Sequence, residues 1–403
     1  MASPLANIRV LDMSRVLAGP WAGQLLGDYG ADVVKIEKPG SGDDTRQWGP
    51  PWLGGNDAGE SAYFLSANRN KRSITIDIST ETGQRLVRDL ASRADVLLEN
   101  FRVGGLQRYG LGPDDLLGVN PKLIYCSVSA FGQTGPRALE PGYDAMIQAS
   151  AGLMSITGPP DDSDGGPQKV GVAVADIMAG MYAVTAVLAA LNARQVSGEG
   201  QHIDVPLYDS QVAWLANQNM NYLVGGEVPR RMGTAHPNLV PYQAFATSDG
   251  NLMLAVGNDR QFAACARCIG LPGLALDARF RTNRDRIGNR RELVELLQQE
   301  FSRRTTAQWL EALRNEGVPA GPINDIGEVL SDEHAKEREL VRHLLNSQGD
   351  TVPLVANPVN FSRTAVQYEK APPLLGEHTD EVLREWLGYS DERIAELRQN
   401  DAI

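Results

Sequence analysis

The sequence predicts an α/β fold built on an open parallel sheet, and two observations predict it. The first half of the chain alternates strand-like runs with helical runs, as parallel strands joined by crossover helices do. Its 403 residues, 42% hydrophobic and 22% charged, can bury a large Rossmann-like core and leave material for a second unit.

IRVLDMS (8–14) and ADVVKIEKP (31–39) read as strands, with PWAGQLLGDYG between them as a helix opened by Pro20 and closed by Gly30. TETGQRLVRDLASR reads as an amphipathic helix capped by Thr80, followed by strands in ADVLLENF (94–101) and LIYCSVSAFG (123–132). Residues 142–156 and 176–193 read as small-residue helices suited to tight packing on a sheet.

Near residue 225 the pattern breaks. GGEVPRRMGTAHPNLVPY is rich in Gly and Pro and reads as a linker or binding loop. ATSDGNLMLAVG then suggests a small hairpin, with helices at 259–269, 290–303 and 305–316. After VPAGPIND (318–325) come a strand-rich TVPLVANPVNFS and two helices, HTDEVLREWLG and SDERIAELRQN, an ending that would return to the first sheet and complete it. The expected layout is a discontinuous large domain over 1–224 and 326–403, interrupted by a smaller α+β domain over 225–325.

Charge and motifs narrow the chemistry. A net charge of -12 argues against nucleic-acid binding, which needs a basic surface. The N-terminus lacks a basic, then apolar leader, and three cysteines suit a reducing, cytoplasmic setting. The apolar run after Asp176 lasts roughly 15 residues, short of a membrane span, and reads as a core helix.

The first strand-to-helix turn, DMSRVLAGPWAG, has no G-x-G-x-x-G spacing, which disfavours NAD or FAD, and no G-x-x-x-x-G-K-[ST] loop supports nucleotide hydrolysis. Cys265 and Cys268 form CARC without a second ligand pair, so no zinc site is expected. The histidines show no H-E-x-x-H or Ser-His-Asp order.

Two features point to chemistry. Lys35, Lys38, Arg46, Arg69, Lys71, Arg72, Arg102 and Arg108 form an early basic cluster, and several fall at strand ends where open α/β sheets bind ligands, which favours a phosphate-bearing ligand. Asp176 opens the apolar helix. Its simplest role is an N-cap, and a carboxylate kept ionised by the helix dipole there is also a candidate nucleophile toward an activated acyl group.

These segments resemble the class III CoA-transferases, the family of formyl-CoA transferase and the CaiB/BaiF proteins. The likeness rests on VLDMSRVLAGPWAGQLLGDYGADVVKIEKP, NKRSITIDI, ADVLLENFRVGGLQRYGLG, GYDAMIQA, VGVAVADIMAGMYA, GEGQHIDVPLYDS and APPLLGEHTDEVL, spread from residue 8 toward the C-terminus. The resemblance implies that Asp176 is the nucleophile and that CoA, a substrate with no permanent cofactor or metal beside it, meets Val16, Leu17 and Ala18, then Lys38. It extends the CoA contacts to Asn68, Arg69, Asn70 and Lys71, to Asn100, Phe101 and Arg102, to Arg108, and to Tyr143 and Asp144. It also implies an interlocked homodimer.

α-Methylacyl-CoA racemases share that family and use a histidine in a G-H-D segment, where this chain has Gly142-Tyr143-Asp144. A phenol of ordinary pKa about 10 substitutes poorly for imidazole in α-proton exchange, so transferase is favoured and racemase kept as the alternative. GTAH, VPYQAF and GPIND resemble the branch acting on dicarboxylates, such as the succinyl-CoA:glutarate CoA-transferases, with His236 and Gln243 as candidate neighbours of the acyl group or as loop structure.

Overall fold

A computed structural model describes residues 3–55 and 59–403. By its contacts the chain forms two compact units, one of residues 1–154, 169–228 and 333–403, the other of 155–168 and 229–332. The strip 155–168, SITGPPDDSDGGPQ, belongs to the second unit, and its Gly, Pro and Asp mark the departure from the helical runs on either side.

The first unit begins β1 (Arg9–Asp12), α1 (Ala18–Asp28), β2 (Asp32–Glu37), α2 (Ala62–Leu65), β3 (Lys71–Thr75), α3 (Glu81–Ala91), β4 (Val96–Glu99), α4 (Pro113–Val119) and β5 (Ile124–Ser129). It continues with α5 (Asp144–Ser150), α6 (Val174–Ser197), β6 (Gln201–Pro206), α7 (Leu207–Trp214) and α8 (Asn217–Gly225). Among the described residues these strands make a six-stranded sheet in the order β3-β2-β1-β4-β5-β6, every pairing parallel. The order reverses between β1 and β4, and a crevice opens at their carboxyl ends.

Successive side chains of a strand leave opposite faces of the sheet, and both faces are covered here. Val10, Leu98 and Val128 pack under α1 and α6 through Leu25, Ala179 and Val187. Leu11, Leu97 and Tyr125 pack on the other face with Leu86 and Leu90 of α3. Thr80 does cap α3, its hydroxyl accepting the Gly83 N–H at 2.9 Å. Gly23 lets α1 lie close to the sheet, since a Cβ there would stand 2.7 Å from Asp12 Oδ2.

The second unit holds β7 (Tyr242–Ala246), β8 (Asn251–Ala255), α9 (Asp259–Cys268), α10 (Asn283–Gly288), α11 (Arg290–Phe301), α12 (Thr306–Asn315), β9 (Ala320–Pro322) and α13 (Ile326–Ser331). β7, β8 and β9 form a three-stranded antiparallel sheet, so the expected hairpin gains a third strand from VPAGPIND. Phe245, Phe262, Phe301 and Trp309 fill its core. Cys265 is part of that core, where burial pushes its thiol up to about 12.

Back in the first unit lie α14 (Glu333–Glu337), β10 (Val341–Leu345), β11 (Thr351–Val355), α15 (Thr379–Leu387) and α16 (Asp391–Gln399). Here the structure corrects the sequence reading. β11 pairs with β10 in a separate two-stranded ribbon, and β6 is the edge strand that completes the large sheet. What returns is helical: Val382, Trp386 and Ile394 of α15 and α16 join the α3 face.

The returning segment is also tied in by buried polar groups. Asp28 at the end of α1 accepts from Asn70 and Asn357, at 2.8 and 2.9 Å. Arg72 of β3 pairs with Glu381 and Glu385 at 2.8 and 2.6 Å as well as with Asp32.

α6 runs 24 residues and is long and apolar enough, by length and composition alone, to cross a membrane. That exceeds the roughly 15-residue apolar run read from the sequence, because polar residues at its C-terminal end are helical too. In this fold its Ala175, Ala179, Ala183 and Val187 are buried in the α1 face of the sheet.

Candidate active site

Asp176 is not an N-cap. α6 begins at Val174 with Ala173 as its flanking residue, so Asp176 sits inside the first turn, and its carboxyl caps nothing there. The capping acceptor comes from α5: Asp144 Oδ1 accepts the Ala175 N–H at 2.8 Å. Asp144 Oδ2 accepts from Gln148 Nε2 at 2.7 Å, and Gln148 holds the approach to α6 by accepting the Val170 N–H at 2.8 Å.

Asp176 is 8% exposed. Burial, with the charge of Asp144 added to it, pushes its carboxyl up to about 7, so desolvation and a like charge outweigh the helix dipole expected to keep it ionised.

The cleft in front of Asp176 has a volume of about 210 Å³ and lies at the reversal of strand order. Val16, Leu17 and Ala18, at the head of α1, share its wall with Asp176, and Asn100, Phe101 and Arg102, following β4, form another side. Tyr143, 71% exposed, lines it as well. Gly180, one turn beyond Asp176, brings α6 against α1, for a Cβ there would stand 2.6 Å from the Ala18 carbonyl oxygen.

A second cleft of about 350 Å³ shares Arg15 and Phe101 with the first. Met13, Ile36, Lys38, Asp77 and Ile78 line it, at the ends of β1, β2 and β3. Its apolar side chains suit a flat ligand part, with Lys38 and Arg15 as cations among the acidic Glu37, Asp43 and Asp77.

Other residues expected to meet CoA have protein partners and lie outside both clefts. Asn68, Arg69, Asn70 and Lys71 are buried and line neither cleft. Lys71 Nζ donates to Asp12, Asn68 and the Pro20 carbonyl at 2.8–2.9 Å. Burial pushes its ammonium down to about 8, against the pull of Asp12. Arg69 is paired with Asp28, and the Asn68 amide donates to the Phe64 carbonyl at 2.9 Å. Arg108 stacks over Tyr109, bonds its hydroxyl at 2.7 Å, and lines neither cleft. Asp144 supports α6 and does not line the cleft.

Most of the basic cluster is paired in the same way. Lys35, Arg46, Arg69, Lys71 and Arg72 are buried and each meets a carboxylate, leaving Lys38 and Arg102 at cleft walls. Sequence reasoning missed those carboxylates, above all Asp43, which lies in a loop with no motif around it. Burial works against its charge, but Lys35 at 2.9 Å and the Thr45 N–H hold its carboxyl down at about 2.

A profile described as CoA-transferase family III matches residues 5–379. The chain belongs to CoA-transferase family III. It is 49% identical over 385 residues to a succinate–glutarate CoA-transferase of Agrobacterium fabrum, covering 95% of each chain. A succinyl-CoA:glutarate CoA-transferase of Mus musculus is 44% identical over 98% of this chain and 89% of its own. Among solved structures, a CaiB/BaiF family protein of Brucella suis superposes with a TM-score of 0.84 at 46% identity, over 96% of this chain and all (100%) of that one.

In this family III CoA-transferase the second unit holds the two remaining candidates. His236 Nδ1 accepts the Asn238 N–H at 3.0 Å, which leaves Nε2 as the protonated nitrogen of the neutral ring. Burial and the nearby Arg290 both lower its pKa. Gln243 is half-buried on β7, opposite Leu254.

Proposed function

We propose that this chain transfers coenzyme A from an acyl-CoA, with succinyl-CoA as donor, to a free dicarboxylate such as glutarate, and that Asp176 carries the acyl group between them. The observation that carries this reading is the placement of Asp176: a buried carboxyl lining a cleft that shares Arg15 and Phe101 with a second cleft, which Lys38 lines. An elongated thioester can lie along both, its nucleotide end by Lys38 and its thioester at Asp176. The names of the relatives supply the choice of donor and acceptor.

In the mechanism proposed, the Asp176 carboxylate attacks the thioester carbonyl and expels CoA thiolate, leaving a mixed anhydride. The thiolate, held in the cleft, attacks the aspartyl carbonyl, releasing the donor acid and leaving an aspartyl-CoA thioester. The acceptor carboxylate attacks that thioester to form a second anhydride. Thiolate then attacks the acceptor carbonyl, giving the new acyl-CoA and free Asp176.

Each step passes through a tetrahedral oxyanion. The first N–H of α1, at Ala18, has no carbonyl one turn back to bond to, and Ala18 lines the cleft wall with Asp176, so this N–H is a candidate donor to such an oxygen. A buried nucleophile limits hydrolysis of the anhydrides.

The homodimer belongs to the same proposal. Met181, Tyr182 and Leu188 of α6 and Met220, Leu223 and Val224 of α8 are exposed apolar residues that a second copy would cover. The decisive experiment mixes the protein with succinyl-CoA, traps with hydroxylamine or borohydride, and maps the adduct by mass spectrometry. An adduct on Asp176, and glutaryl-CoA when glutarate is added, supports the reading; a label elsewhere or none at all removes it.

A further inference from the structure

Side chains hold each residue of the turn from β1 to α1 over Ser14–Val16, most of them from other segments. Ser14 N–H donates to Asp12 Oδ1 at 3.0 Å, and the Ser14 carbonyl accepts from Lys35 Nζ at 2.7 Å. Asn100 brackets the next residue: its Oδ1 accepts the Arg15 N–H at 2.8 Å while its Nδ2 donates to the Arg15 carbonyl at 2.7 Å. Val16 N–H then points at the Asp43 carboxylate, 3.2 and 3.3 Å from its two oxygens. Asp43 is itself fixed by Lys35 at 2.9 Å and by the Thr45 hydroxyl at 2.8 Å.

Val16 needs such restraint. Its φ is +71°, a left-handed conformation that a β-branched residue avoids, and it holds only where surroundings over-determine it. Directly after it come Leu17 and Ala18, on the cleft wall with Asp176.

We propose that Asn100 and Asp43 are positioning residues that hold the β1–α1 turn in its strained form and thereby aim the main-chain N–H groups at the head of α1 toward the oxyanion formed at Asp176. This rests on the reading of Asp176 as nucleophile. It gives Asn100 a task distinct from the CoA binding that the family resemblance implies. Weaker CoA binding would raise KM, whereas poorer aim lowers kcat, because the oxyanion exists only in the transition state.

The test compares Asn100→Ala and Asp43→Asn with the unmodified protein in steady-state transfer and in single-turnover trapping of the Asp176 adduct. Asn100→Ala should lower kcat and the rate of adduct formation roughly tenfold or more, with KM for the acyl-CoA within about twofold. Asp43→Asn should do the same, and adding Val16→Gly should recover most of its kcat, because glycine adopts φ +71° without the carboxylate.

A raised KM at unchanged kcat in Asn100→Ala, or no recovery in the double variant, overturns the proposal. If Asp43→Asn does not fold, the KM-against-kcat split in Asn100→Ala decides alone. Failure of the underlying reading looks different: the unmodified protein would then form no Asp176 adduct at all.

Discussion

Asp144 Oδ1 accepts the main-chain N–H of Ala175 at 2.8 Å, one residue before Asp176. One carboxylate thus caps the helix that carries the other, and its charge adds to the burial that pushes Asp176 up to about 7. Fixing the helix and raising the basicity of its carboxylate are two effects of one side chain.

That relationship sets a pH dependence. With succinyl-CoA as donor, kcat/KM should rise with pH, tenfold per unit, until it levels above about 7 as Asp176 loses its proton. Asp144→Asn removes the like charge while leaving an oxygen for Ala175, so its profile should have a more acidic midpoint. A midpoint unmoved in Asp144→Asn would show burial alone at work.

Stability should move the opposite way. A carboxyl whose folded pKa is raised gives stability present below its ordinary value of 3.8 and lost as pH rises through about 7. Asp176→Asn removes that loss, so at pH 8 the inactive variant should be more resistant to urea by roughly 1–3 kcal/mol, with the difference gone below about pH 4. Urea melts at both pH values check it.

Gly180→Ala should destabilise the first unit by about 1–3 kcal/mol, because the added Cβ meets the Ala18 carbonyl at 2.6 Å where neither helix has room to yield. Transfer activity should fall with it, since the helices forced apart are the two that frame the cleft. Thermal melting and steady-state rates measure the two effects together.

Two lysines of the same early cluster should part company. Lys71→Met strands the buried Asp12 charge and should cost about 3–5 kcal/mol, visible as a large drop in denaturant midpoint. Lys38→Ala should leave that midpoint within about 0.5 kcal/mol and instead raise KM for the acyl-CoA, more at low salt than at high.

The α/β alternation and the crevice were legible because short strand-like runs and helix punctuation are local properties of residues 8–132. Asp176 was legible as a residue but not as a position: nothing apolar or capping marks Val174 as the start of α6, since the cap is Asp144, 31 residues upstream of the Ala175 it serves. The basic cluster misled for a related reason. A lysine at a strand end looks the same in sequence whether water or a buried aspartate faces it, and the partners of Lys35 and Lys71 come from other segments. β6 and the β10–β11 ribbon were likewise decided by pairing, which sequence periodicity does not encode.

Asp28, Asn70 and Arg72 lie in the first fifth of the chain, yet their partners include Asn357, Gln367, Glu381 and Glu385. On the ribosome the opening strands therefore emerge long before the groups that satisfy them. The sheet must wait, incompletely neutralised, until translation is nearly over, so a nascent chain stalled before residue 357 is a client for chaperones rather than a finished catalytic unit.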